Sequence, residues 1–165
     1  MILAIDVGNT HTVLGLMDGV EVRHTFRISS ISRSTDELGV LLMSLLTHRG
    51  IDVRDIEGAI CSPVVPSLVY SVEKACRNYL DVDPLVVGRD KLRTGMQIRV
   101  DNPREVGADR IVNSVAAIHK WGGPVIVVDF GTATTLDCIS KAGEYLGGVI
   151  APGVKIAEEA LFSKT

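Results

Sequence analysis

The apolar positions of the chain open with three strand-sized stretches, Ile2–Val7, Thr12–Met17 and Val20–Ile28. Gly-Asn-Thr-His joins the first two and Asp18-Gly19 the next pair; Asp-Gly between apolar runs is a strong hairpin signal. The period then changes. Ser34 and Glu37 have capping-box spacing, Leu38, Leu41, Leu42, Leu45 and Leu46 form an apolar stripe, and Gly50 closes it, which predicts a helix. Ile56–Cys61 predicts a fourth strand. Pro66 opens a second helix to about Tyr79, with Val69, Val72, Cys76 and Leu80 on one side, and Leu85–Val87 predicts a short buried strand. An antiparallel meander followed by parallel crossovers suits a ribonuclease-H-like α/β sheet better than a Rossmann fold. No Gly-x-Gly-x-x-Gly follows the first strand, which also counts against a dinucleotide site.

Residues 88–104 read as irregular, with one short strand at Met96–Val100. Asn102-Pro103 is a helix-start signal, and Ile111, Val112, Val115, Ala116 and Ile118 carry an amphipathic helix to about Trp121. Gly122-Gly123-Pro124 breaks it and sets the expected domain boundary, giving domains at 1–121 and 122–165. Beyond the break the opening pattern returns: strands at Val125–Phe130, Thr134–Ile139 and Glu144–Ile150, then Pro152-Gly153 and a helix to the end. Laid on residues 5–16 without a gap, residues 128–139 match at Asp6/Asp129, Gly8/Gly131 and Thr12/Thr135. Each copy is an apolar strand, an Asp at its end, a tight Gly turn rich in hydroxyls, and a second strand. A nucleotide phosphate site in a cleft between duplicated halves needs this: Gly lets backbone N–H groups approach, Thr adds hydroxyl donors, and the Asp pair supplies or orients oxygen around Mg²⁺. Three strands and one helix are too few for an independent core, so the second copy is expected to be incomplete.

Composition narrows the function classes. Apolar content is 46% with only 4% aromatic, which suits an α/β protein. Net charge is −3 and no segment gathers Lys and Arg, arguing against nucleic acid or an anionic membrane as main partner. The longest apolar runs are strand-sized, far short of a membrane span, and Met1 leads directly into a strand, leaving no room for a signal peptide. Cys61, Cys76 and Cys138 lack metal-type spacing and read as reduced, mostly buried thiols of a cytoplasmic protein.

Four motifs in order resemble those of type III pantothenate kinases, a bacterial branch of the superfamily of sugar kinases, acetate kinase, actin and the heat-shock ATPases. They are Asp6-Val-Gly-Asn-Thr-His, Asn102-Pro103 with Glu105-Val-Gly-Ala-Asp109-Arg110, Asp129-Phe-Gly-Thr-Ala-Thr-Thr135, and Gly147-Gly-Val-Ile-Ala-Pro-Gly153. The resemblance implies ATP-dependent phosphorylation of pantothenate to 4'-phosphopantothenate, the first step toward coenzyme A, by a cytoplasmic homodimer that needs Mg²⁺ and a monovalent cation, K⁺ or NH4⁺. It implies that Asp6, Val7, Gly8, Asn9, Thr10, His11, Thr12, Val13 and Thr132 contact ATP, and that Asp129 helps bind the monovalent cation. It further implies that Gly107, Ala108, Asp109 and Arg110 line the pantothenate pocket, with Asp109 as proton acceptor. The family continues beyond the motifs present here, through an adenosine-binding loop, so this chain alone is expected to have weak activity or none. Cys61-Ser62-Pro63-Val64-Val65-Pro66 is similar to a Ser-rich turn of the family, and Val100 stands where relatives with a Tyr near the substrate have a hydroxyl. The alternatives are a non-catalytic nucleotide-binding regulator of the same fold, or a kinase for another small alcohol or acid.

Each residue also has a plainer use. Asp109 can be the N-cap of a helix beginning near Ile111. Arg110 is a surface residue by default, or beside Asp109 pairs with the pantothenate carboxylate or the transferring phosphoryl group. Asp6 and Asp129 read plainly as strand-end turn residues; at a metal–phosphate centre Asp6 is expected to act on Mg²⁺ through bound water rather than as a bare ligand, since Mg²⁺ keeps several waters. His11 belongs to the phosphate loop or to solvent and is not the base. Asp137, in the copy position of Leu14, is expected to face solvent, and Arg23, Arg27, Arg33, Arg89, Arg93 and Arg99 are scattered surface charges.

Overall fold

The computed structural model describes residues 1–89 and 92–164. The chain divides into two compact units, Met1–Leu92 and Arg93–Thr165.

In the first unit β1 (Ile2–Val7), β2 (His11–Asp18) and β3 (Glu21–Ser29) form an antiparallel meander. Helix α1 (Thr35–His48) then crosses to β4 (Gly58–Pro63), and α2 (Pro66–Leu80) crosses to β5 (Leu85–Val86). Both later strands are parallel, giving the order β3-β2-β1-β4-β5, the ribonuclease-H-like arrangement read from the sequence. Alternation on β1 and β2 sends Leu3, Ile5, Val7, Leu14 and Leu16 to one face. There Leu38, Leu42 and Leu46 of α1 and Val69, Val72, Ala75, Cys76 and Leu80 of α2 close the core over them. Burying each such Leu is worth roughly 1.5–3 kcal/mol. The capping box at α1 forms as read: Glu37 N donates to Ser34 Oγ at 3.2 Å and Ser34 N to Glu37 Oε2 at 2.8 Å. β4 begins two residues later than the sequence indicates and runs on through Cys61-Ser62-Pro63, so these residues are strand rather than turn. Pro63, which has no N–H, is tolerated because the bond to β1 at this end comes from Val64 N, which donates to Val7 O at 3.0 Å.

In the second unit the expected strand at Met96–Val100 reduces to a single parallel bridge between Ile98 and Tyr145. Asn102-Pro103 starts only a short 3₁₀ turn, Pro103–Glu105. Helix α3 begins later, at Ala108, and runs to Trp121. Its apolar stripe is spent on β6 (Val125–Phe130) and β7 (Ala133–Ile139), with Ile111 and Ala117 buried. The Gly122-Gly123-Pro124 break therefore falls inside this unit. β8 (Tyr145–Pro152) completes a meander of order β6-β7-β8, and α4 (Val154–Lys164) follows. Of the irregular 88–104 stretch, residues 90 and 91 lie outside the described residues, as does residue 165 of the final helix.

Candidate active site

The β1–β2 turn is tight because Gly8 N donates to His11 O at 3.1 Å. A Cβ on Gly8 would lie 2.9 Å from that same carbonyl, so any larger residue forces the turn open. Asp6 is exposed near the end of β1, opposite Val13 and alongside Ser62 of β4, whose buried hydroxyl has no hydrogen-bond partner among the described residues. Asn9, Thr10 and His11 are exposed on the turn. Val7 and Thr12 point the other way. Val7 is in the core, and the Thr12 hydroxyl is buried against Ser30 Oγ at 2.9 Å. The residue 12 hydroxyl expected to serve an anion is thus buried on the other face of the strand, and the exposed residues of the turn are Asn9, Thr10 and His11.

The second unit assembles its polar groups on α3. Gly107 is the N-cap, so Asp109 is not one; it lies inside the first turn, where its Oδ1 accepts from Arg110 N at 2.8 Å. A carboxylate there is favoured by the positive end of the helix. Asn113, one turn further along the same face, donates from Nδ2 to Asp129 Oδ2 at 3.1 Å. One helix face thereby links Asp109, Asn113 and the strand-end Asp129. The β6–β7 turn is closed by Gly131 N donating to Ala133 O at 3.0 Å, and Thr132 on it is exposed. Gly153 N donates to Thr132 O at 3.1 Å, holding the start of α4 against this turn. A Cβ on Gly153 would strike the carbonyls of Gly131 and Thr132, which is why Pro152-Gly153 reads as it does.

Arg110 and Asp137 correct the sequence reading. Arg110 is not a free surface cation: its Nε and Nη2 reach Asp137 Oδ1 at 2.7 and 2.6 Å. Asp137 does not face solvent; it is fully buried, and Tyr145 donates its hydroxyl to the same Oδ1 at 2.6 Å. Burial, reinforced by that bond, pushes the Tyr145 phenol well above its ordinary range, so it stays a donor. The misreading has two sources: the face that α3 covers in this unit is the opposite of the Leu14 face packed in the first, and the two copies differ by a register slip. In the first copy Val7 pairs with Thr12, whereas in the second Phe130 pairs with Thr134, because the second turn is one residue shorter. Thr12 therefore corresponds to Thr134, not Thr135, and Asp137 to Gly15, not Leu14. A one-residue slip moves a side chain to the opposite face. Asp137 lands opposite Val127, on the face that α3 covers.

Asn113 and Tyr145 were not singled out from the sequence. Asn113 had one signal, its helical spacing from Asp109; Tyr145 had none, since its role depends on the strand pairing.

A model of the type III pantothenate kinase family matches residues 2–165. The type III pantothenate kinase of Geobacillus kaustophilus (strain HTA426) is 52% identical over 165 residues, and that of Geobacillus sp. (strain WCH70) is 50% identical. Each match covers 99% of this chain and 64% of the relative, so the chain spans under two thirds of the length of these curated relatives. Among solved structures, a putative 2-dehydro-3-deoxygalactonokinase from Sinorhizobium meliloti superposes with a TM-score of 0.55 at 12% identity, over 99% of this chain and 56% of that one. The ethanolamine utilization protein EutJ from Carboxydothermus hydrogenoformans gives 0.53 at 16% identity, over 99% and 57%. At such identities these two speak to the fold alone, and they agree with the ribonuclease-H-like reading. With its motifs matched from end to end, the chain belongs to the type III pantothenate kinase family.

Proposed function

We propose that the protein phosphorylates the primary hydroxyl of pantothenate with ATP, giving 4'-phosphopantothenate and ADP. The observation that carries this reading is the family match over residues 2–165, with Gly107–Arg110 gathered at the start of α3. The acceptor oxygen bonds to the γ-phosphorus, the bond from that phosphorus to the bridging oxygen of ADP breaks, and Asp109 takes the hydroxyl proton. Phosphoryl transfer asks mainly for positioning and charge neutralisation, so one base is enough covalent assistance. With Gly8 holding the turn closed, residues 9–11 are proposed to supply backbone and side-chain donors to phosphate oxygens, and Thr132 to do the same from the β6–β7 turn.

Among the described residues no cluster of three or more His, Cys, Asp or Glu forms a closed metal cage. That fits Mg²⁺, which binds through one or two carboxylates plus substrate phosphates and keeps its waters. Asp6 is the carboxylate proposed to orient such waters, and Mg²⁺ when bound would supply neutralisation of phosphate charge. Asp129, exposed at its strand end and steadied through Oδ2 by Asn113, suits a monovalent cation, K⁺ or NH4⁺. Two copies of the protein are expected to pair, in the cytoplasm, as the family resemblance implies. Among the described residues no helix is long and apolar enough to cross a membrane.

The direct test is Asp109→Asn in the full-length protein, assayed for ATP-dependent phosphopantothenate. Turnover is expected to fall roughly 10²–10⁴-fold with the circular dichroism spectrum unchanged. Turnover equal to wild type would remove Asp109 as base. A wild-type protein that ignores pantothenate but phosphorylates another alcohol would remove the substrate.

A further inference from the structure

The Arg110–Asp137–Tyr145 cluster is built with more care than a surface ion pair. The side chains of Arg110 and Asp137 are 13% and 1% exposed, and Tyr145 is 1% exposed. Asp137 Oδ1 receives Nε and Nη2 of Arg110 and the Tyr145 hydroxyl together, and Nη2 also lies 3.5 Å from Leu136 O. Tyr145 is itself fixed: its N donates to Gln97 O at 2.8 Å and its carbonyl accepts from Arg99 N at 2.8 Å. Gly148 completes the clamp, because a Cβ there would collide with Leu136 O and Arg110 Nη2 and lie 2.8 Å from Asp137 Oδ1. The guanidinium is thus gripped along its Nε–Nη2 edge, and Nη1 is the nitrogen that neither Asp137 nor Leu136 engages. Arg110 directly follows Asp109 in the first turn of α3.

We propose that Asp137 is a positioning residue that sets acceptor specificity: it holds Arg110 so that the Nη1 side meets the carboxylate of the acceptor. This rests on the functional reading above. A guanidinium whose charge is already compensated by Asp137 suits the orienting of a carboxylate better than the absorbing of charge that develops on a transferring phosphoryl group. The neutral acceptor analogue, in which a hydroxymethyl group replaces the carboxylate, separates the two roles.

The experiment compares pantothenate with that neutral alcohol as acceptor in the full-length wild type, Asp137→Asn, Arg110→Ala and the double variant. Asp137→Asn is expected to raise KM for pantothenate roughly tenfold to a hundredfold while KM for ATP stays within about twofold. The preference for acid over alcohol should fall to the level of Arg110→Ala, and the double variant should be no worse than Arg110→Ala alone. A preference unchanged in Asp137→Asn, or equal loss with both acceptors, would reduce the cluster to a structural one and overturn the proposal. If Asp137→Asn does not fold, Tyr145→Phe, which removes one donor to Oδ1, should shift the preference in the same direction by less; an unchanged preference would again overturn it. A wild type inert on both acceptors sinks the substrate reading instead. The clamp is then judged by the Arg110 Nε–H resonance, slow to exchange in the wild type and fast in Asp137→Asn if Asp137 holds it, and fast in both if it does not.

Discussion

At the scale of single residues, close approach decides more than residue class. Gly148 is small because Leu136 O and the Arg110 guanidinium occupy the space a side chain would take. Replacing it with Ala forces the guanidinium or the strand to move, an overpacking cost of about 1–3 kcal/mol. In the full-length protein, on the function proposed above, Gly148→Ala is therefore expected to lower the thermal midpoint and to weaken pantothenate use more than ATP use. A variant with wild-type melting and kinetics would show that the Arg110 clamp has slack the structure does not suggest. The sequence announced Gly147-Gly148 as part of a motif and gave no reason for either. Asp137 was misjudged for a related reason. Its burial depends on α3 covering the Val127 face of the sheet, and its place on that face on how many residues close the β6–β7 turn, settled by Gly131 N finding Ala133 O rather than the next carbonyl along. Two hairpins of similar lettering can differ there by one residue. Arg110 is ambiguous in the sequence between surface and substrate because its partner lies on a strand whose facing only the strand pairing fixes.

At the scale of elements, local signals were legible and context-dependent ones were not. The α1 capping box was readable because both of its hydrogen bonds lie within four residues. Ser34→Ala removes the acceptor for Glu37 N and is expected to destabilise the protein by about 1 kcal/mol, measured by denaturant unfolding. The bonds of the cap join Ser34 and Glu37 and reach no expected site residue, so kcat of the full-length protein should be unchanged; a loss of turnover without a loss of stability would contradict that separation. The strand order β3-β2-β1-β4-β5 was likewise readable, from a meander followed by helix-connected strands. Pro103 misled. Pro is favoured at the first position of a helix, but it is equally at home in a 3₁₀ turn, and here Val106 and Gly107 leave helical geometry before α3 starts. Moving the helix start to Ala108 is what turns Asp109 from a cap into a first-turn carboxylate.

At the scale of the whole molecule, the packed apolar cluster lies in the first unit, and it hides two of the three thiols. Cys61 on β4 and Cys76 on α2 are both fully buried, and burial pushes each up to about 12. A raised thiol pKa means that folding favours the protonated form. Unfolded, these cysteines ionise near the ordinary value of about 8.5. Below that value both states hold the proton and the shift has no pH-dependent effect. As pH rises from about 9 toward 12, the unfolded chain gives up protons that the folded one retains, and the stability they contribute drains away. Thiolate chemistry follows the same rule, since the thiolate is the reactive species. In the folded protein at pH 8, Cys138, which is only partly buried, is expected to react with a disulfide reagent first. Cys61 and Cys76 should react only at the rate of unfolding, and urea should release both together, because a strand and a helix of one core cannot expose their contact separately. Mass spectrometry of peptides after a timed exposure checks this. Rapid labelling of Cys61 in buffer would mean that β4, the strand that runs beside Asp6, opens without global unfolding.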